Sequence, residues 1–235
     1  RPLPRNRLNI TEASALSFAL WAGASAIFLT QFPIGGFLVA NTILASYILV
    51  YTPMKRTSEH NTAVGALVGA LPPLLGWVSA GGAITAIQPW AVILFMFAWQ
   101  FPHFYGILWT YRKDYDTPGY KMIKDPAKAG KIMRAAILGQ ALACCLLLPS
   151  GDFSYIGSAA TYFYLYKNWQ AVQNFEKDQS VPNAKKLKFT AYMPFTIFFI
   201  TILLNLLGFT PEQLYKRFAT PDSSKEATKA KAERQ

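Results

Sequence analysis

Charged residues are absent from the chain between Gln31 and Pro53, and again between Thr62 and Tyr111. An amphipathic helix would return a polar position to water every three or four residues, so uncharged runs of this length are not half-solvated helices. Period-2 alternation is missing, and a membrane-spanning sheet must close into a barrel, so strands are a poor alternative. A bilayer core of about 30 Å requires roughly 20 helical residues. Seven segments approach that length, at about 12–31, 33–52, 62–80, 87–110, 132–149, 153–171 and 189–208. The sixth is the weakest, because it carries Tyr155, Tyr162, Tyr164 and Tyr166 and runs into Lys167. The pattern predicts an all-α, polytopic transmembrane bundle over residues 1–208, followed by a polar, mobile tail at 209–235.

Charge then orients the bundle. The chain holds 23 Lys and Arg against 12 Asp and Glu. If the connections alternate sides, one side receives 1–11, 53–61, 111–131 and 172–188; with Arg134 and Lys167 at the helix ends it collects 17 Lys and Arg. The opposite connections, at 32, 81–86 and 150–152, carry none. This is the positive-inside asymmetry, which places the basic side in the cytoplasm or mitochondrial matrix. The tail, with six more Lys and Arg, falls on the opposite side unless the sixth segment fails to span. Nucleic-acid binding is a poor explanation of the excess charge, because the cations border lipid-grade apolar helices. Cys144 and Cys145 are adjacent in an apolar run and lack metal-binding spacing, so they read as small hydrophobes. The chain opens at Arg1 instead of Met, so a targeting segment is expected to lie outside it.

Two basic-side regions carry candidate chemistry. In Tyr51-Thr-Pro-Met-Lys-Arg-Thr-Ser-Glu-His-Asn61, cations, hydroxyls, a carboxylate and an imidazole crowd one short connection. Lys55 and Arg56 serve there either as positive-inside anchors or as a clamp for phosphate or carboxylate. The second region is Trp99-Gln-Phe-Pro-His-Phe104, continued by Arg112-Lys-Asp-Tyr-Asp116 and Gly119-Tyr-Lys-Met122. Pro102 should kink its helix and free the carbonyl of Ala98. His103 beside it is a polar group inside an apolar span, hence a functional candidate or a cross-helix hydrogen-bonding residue. Asp114 lies 11 positions beyond His103, which would put both on one face about 16 Å apart if the helix continues. Asp114 and Asp116 suit Mg²⁺ coordination with a diphosphate, or else a solvated salt-bridge cluster with Arg112, Lys113 and Lys121. Gly65, Gly69 and the Pro72-Pro73 pair read as packing and bending features.

These runs, together with Asn61-Thr-Ala-Val-Gly65, Gly69-Ala-Leu-Pro-Pro73 and Gly76-Trp77, resemble the protoheme IX farnesyltransferase family, a branch of the UbiA-type intramembrane prenyltransferases. The resemblance covers nearly all of 1–208, and the Trp-Gln-Phe-Pro-His-Phe run is its most specific part. It implies a bundle of about nine helices, seven of them present here, with a site between two polar loops on the matrix or cytoplasmic side. Arg1-Pro2-Leu3 looks like the end of the first loop motif, whose Asn and Asp residues would precede Arg1; the chain alone is then expected to be inactive. A second departure is Tyr192-Met193 before Pro194, where the family usually carries a His.

The resemblance further implies transfer of a farnesyl group from farnesyl diphosphate to a vinyl group of heme B, giving heme O for heme A and cytochrome oxidase assembly. It assigns Asp114 to Mg²⁺ and diphosphate, Tyr115 to a neighbouring donor role, and Lys55 and Arg56 to diphosphate or heme propionates. His103, Arg112 and Trp99 are the expected heme contacts. The expected setting is the mitochondrial inner membrane with the site facing the matrix, or a bacterial inner membrane, with heme A synthase or a second copy as further partners. The competing readings are a UbiA-type enzyme with another acceptor, a transporter, and a noncatalytic membrane heme carrier.

Overall fold

Helix boundaries follow local chemistry. The architecture is that of a computed structural model, which describes residues 7–209 except 118 and 152. The expected tail therefore falls almost wholly outside the described residues, as does the Arg1-Pro2-Leu3 run. Helix α1 (Ile10–Gln31) starts at a capping box, in which the Asn9 side chain accepts from the Glu12 N–H and the Glu12 carboxylate accepts from the Asn9 N–H. Pro33 then turns the chain into α2 (Ile34–Ala45). The same helical rod continues through a wider π-helical turn, Ser46–Tyr51, into α3 (Thr52–Thr57). Pro53 cannot donate a hydrogen bond and crowds the carbonyl four residues back, and widening the preceding turn relieves both problems. The Thr52 N–H and hydroxyl both donate to the Tyr47 carbonyl.

The third span divides into α4 (Asn61–Ala70) and α5 (Pro72–Ser79), so the bend expected at Pro72-Pro73 falls at Leu71. Helix α6 (Ile87–Thr110) is continuous through Pro102. It ends at Tyr111, whose φ of −119° and ψ of 36° leave the helical region, and a separate short helix α7 (Arg112–Asp116) follows. His103 and Asp114 therefore do not share one helical face, because the helix that would align them stops between them. Helices α8 (Pro126–Leu147), α9 (Tyr155–Lys177) and α10 (Val181–Leu206) complete the described chain.

Six of the seven rods are long and apolar enough to cross a membrane. The remaining one, α9, sixth in chain order, has the length but not the apolarity. Three of its polar side chains, Ser158, Thr161 and Asn168, are buried against the bundle. The basic-side connections expected at 172–188 and 111–131 are mostly helix, since α9 runs to Lys177, α10 starts at Val181 and α8 starts at Pro126. Hydropathy marks where hydrocarbon ends, whereas the hydrogen-bond ladder persists until a cap stops it. Here Asp125 caps α8 by accepting from the Ala127 N–H, and proline occupies the first turns of α8 and α10.

Helix α6 is the axis of the bundle, packed by α4, α8 and α10. Small residues allow the contacts. A Cβ on Gly106 would lie 2.8 Å from the Lys188 backbone nitrogen on α10, and the Phe95 and Phe198 rings stack at 3.8 Å. Helix α1 buries no residue and α2 only Gly36, so their Leu, Ile and Phe side chains face outward as lipid-facing helices do.

Candidate active site

The two basic-side regions singled out by sequence converge. The Lys121 N–H donates to the Lys55 carbonyl at 2.8 Å, and the buried Asn61 amide donates to the Lys121 carbonyl at 2.6 Å and to the Ser58 carbonyl at 2.7 Å. Lys128 on α8 forms an ion pair with Glu59 in the same turn. The first connection is thereby fixed to the stretch that follows α7. Bonding to Lys128 holds the Glu59 carboxyl below its usual value.

Beneath this junction is a small chamber of about 90 Å³ lined by Tyr51, Thr62, Gly65, Ala66, Gln100 and Phe104. Two glycines admit its walls, since a Cβ on Gly65 would meet the Tyr51 ring at 2.5 Å and one on Gly69 would meet Gln100 Oε1 at 2.6 Å. Gln100 donates to the Ala66 carbonyl at 2.8 Å, tying α6 to α4. Lys55 Nζ stands 4.4 Å from the Tyr51 ring centroid and 5.5 Å from that of Tyr47, which holds its charge at the rim by cation–π contact. Phe104 meets Tyr115 edge-on at 5.8 Å, and Tyr115 meets Tyr120 at 6.5 Å. Burial, then the Asp114 charge and Tyr120, push the Tyr115 hydroxyl above the usual tyrosine range, so it stays a proton donor at physiological pH.

The carboxylates of α7 differ. Asp116 accepts from Lys124 at 2.7 Å and lies 3.9 Å from Arg112. These cations, Lys124 foremost, hold its carboxyl below the usual range. Asp114 is exposed and joins no ion pair among the described residues. Helical geometry puts Arg112 and Asp116 on one face of α7 and Asp114 on another. Among the described residues no three His, Cys, Asp or Glu side chains cluster as a metal cage. A single free carboxylate still fits Mg²⁺, which takes one or two carboxylates and fills its shell with phosphate oxygens and water.

A second feature runs along α6. Val92, Met96, Trp99, His103, Ile107 and Thr110 recur at spacings of three and four and are all partly exposed, between the faces that meet α4 and α10. Trp99 donates to the Ala191 carbonyl at 3.0 Å, stacks on His103 at 4.8 Å and stacks on Phe195 at 4.2 Å. The Tyr192 hydroxyl lies 3.4 Å from His103 Nε2, with the rings edge-on at 4.5 Å. Tyr192 thus stands edge-on against the imidazole.

Of the residues singled out by sequence, Lys55 and Tyr115 adjoin the chamber, Asp114 projects from the same short helix as Tyr115, and Trp99 and His103 form the aromatic strip. Arg56 is exposed on α3, and Arg112 turns toward Asp116. Asn61, Gln100 and Tyr120 received no role from sequence. Gln100 had a usable signal, an amide inside an apolar span; Asn61 did not, because its partner is 60 residues away.

The model of the UbiA prenyltransferase family matches residues 1–210. A mitochondrial protoheme IX farnesyltransferase of Arabidopsis thaliana is 34% identical over 219 residues, covering 87% of this chain and 48% of the relative. One from Solibacter usitatus is 39% identical over 160 residues, covering 64% of this chain and 52% of the relative. One from Opitutus terrae is 32% identical over 205 residues, covering 84% of this chain and 69% of the relative. The chain spans about half the length of the first two. No solved structure matches. The chain is an integral membrane protein that belongs to the UbiA prenyltransferase family, among members named protoheme IX farnesyltransferase.

Proposed function

We propose that this chain carries most of the catalytic body of an enzyme that transfers a farnesyl group from farnesyl diphosphate to a vinyl group of heme B, giving heme O. The observation that carries the reading is the junction of the two basic-side regions over an aromatic chamber, with the free carboxylate of Asp114 beside it. In the reaction, diphosphate leaves C1 of the farnesyl group with the C–O bonding pair. The vinyl π electrons form the new C–C bond to that allylic carbon. Water adds to the cation left beside the porphyrin ring and gives up a proton to solvent, leaving a hydroxyethylfarnesyl side chain.

Each residue role follows from its chemistry. Asp114 would hold Mg²⁺, which supplies positive charge to the departing diphosphate. Lys55 and Arg56 neutralise diphosphate or the heme propionates, and Tyr115 donates a hydrogen bond to the same anion. Trp99 and His103 would offer a flat, polarisable wall and an imidazole to the heme, and Arg112 a cation for a propionate. Membrane burial keeps water from the allylic cation before the C–C bond forms. The setting is the mitochondrial inner membrane with the site toward the matrix, or a bacterial inner membrane, and heme A synthase or a second copy is a partner.

The test supplies heme B and isotope-labelled farnesyl diphosphate to membranes containing the full-length polypeptide. Label in a hydroxyethylfarnesyl heme supports the reading. Label in a quinone precursor favours another acceptor, and heme binding with unconsumed farnesyl diphosphate favours a carrier.

A further inference from the structure

We infer that the outer groove between α9 and α10 binds the headgroup of an anionic phospholipid. The groove encloses about 470 Å³ and is lined by Lys167, Gln170, Gln173, Asn174, Lys186 and Thr190. Two ammonium groups and three amides give it donors and positive charge, and no carboxylate lines it among the described residues. Neither lysine forms an ion pair among the described residues. Two further charges of these helices are engaged elsewhere: Glu176 pairs with Arg134 of α8, and Lys188 stands 5.6 Å from the Tyr111 ring on the α6 side.

The groove floor is rigid. The buried Asn168 amide donates to the Thr190 hydroxyl at 2.9 Å, and that hydroxyl donates to the Leu187 carbonyl at 3.0 Å. Lys167 is steadied over the Phe163 ring at 5.4 Å.

Position selects a lipid over a free anion. The groove lies toward the end of α9 and the start of α10, on the basic side of the bundle, where anionic headgroups of the inner leaflet reside. One helical turn deeper, Phe163 on α9 is half exposed, and Met193 and Ile197 continue the Thr190 face of α10 as partly exposed apolar positions. A headgroup phosphate in the groove would therefore leave its acyl chains on apolar side chains.

The test is native mass spectrometry of the delipidated full-length protein with dioleoylphosphatidylglycerol, dioleoylphosphatidylcholine, inorganic phosphate or inorganic diphosphate. One phosphatidylglycerol should be retained in preference to phosphatidylcholine. The pair K167Q/K186Q should weaken that retention about ten-fold, and Gln170→Trp should weaken it with the charge unchanged. K177Q/K185Q, which removes the same charge from the same two helices outside the groove, should leave it intact. Equal losses in both lysine pairs would reduce the groove to general attraction and overturn the proposal. Retention of phosphate or diphosphate as tightly as the lipid, and lost in K167Q/K186Q, would overturn it too, by assigning the groove to a free anion. The readout is independent of farnesyl transfer, so its failure and that of the proposed reaction are distinguishable.

Discussion

Asp114 and Asp116 are two positions apart and differ in what holds them. Asp116 is neutralised by Lys124 and Arg112, while Asp114 has no cation partner among the described residues. In the full-length protein, Asp114→Ala should lower farnesyl transfer on the order of 100-fold or more, because the carboxylate proposed to hold Mg²⁺ at the diphosphate is lost. Asp116→Ala should change it by about three-fold at most, since an exposed ion pair contributes little. Turnover measured at saturating heme separates the two; equal, near-normal rates in both variants would remove Asp114 from the mechanism. Sequence chemistry picked out Asp114, His103 and Lys55, whose types are costly or conspicuous where they stand. It was silent on Asn61 and Gln100, whose meaning lies in partners 60 and 34 residues away. Tyr192 came into view only as a departure from a family pattern, and its edge-on contact with His103 gives that departure a physical sense.

At the scale of elements, hydropathy located every rod and misjudged where the rods end. The span 87–110 was legible residue for residue, because apolar sequence and helix stop together there. Helices α8, α9 and α10 extend well beyond their apolar cores, since caps and prolines end them where hydrocarbon does not. Packing contacts can reverse ordinary propensities. Gly→Ala inside a helix normally stabilises by about 0.5–1 kcal/mol. Gly106→Ala should instead destabilise by about 1–3 kcal/mol, because the new methyl meets Lys188 backbone on α10 and the helices must part. Thermal unfolding of the solubilised full-length protein checks the sign. The loop junction has its own pH signature. The carboxyls of Glu59 and Asp116 are held below their usual values by Lys128 and Lys124. Their pairings therefore help fully above the unfolded carboxylate values and are lost as pH falls through the depressed ones. Hydrogen-exchange protection factors over 55–62 and 111–124 should be flat through neutral pH and fall below about pH 4; a fall near pH 6.5 would point to a histidine instead.

For the whole molecule, one-sided charge and one-sided chemistry coincide. Lys55, one of the cations of the expected basic side, also borders the chamber. The sixth rod shows where composition misleads. Tyr155 and Tyr166, which made 153–171 a weak span, are exposed, and the polar side chains that α9 turns against its neighbours are others, Ser158, Thr161 and Asn168. Chromatography of hemes extracted from cells with and without the complete polypeptide tests the central claim most directly. Farnesyl transfer to heme predicts that its removal abolishes heme O and heme A while heme B persists. Unchanged levels of all three hemes would contradict that activity and move the transporter and carrier readings forward.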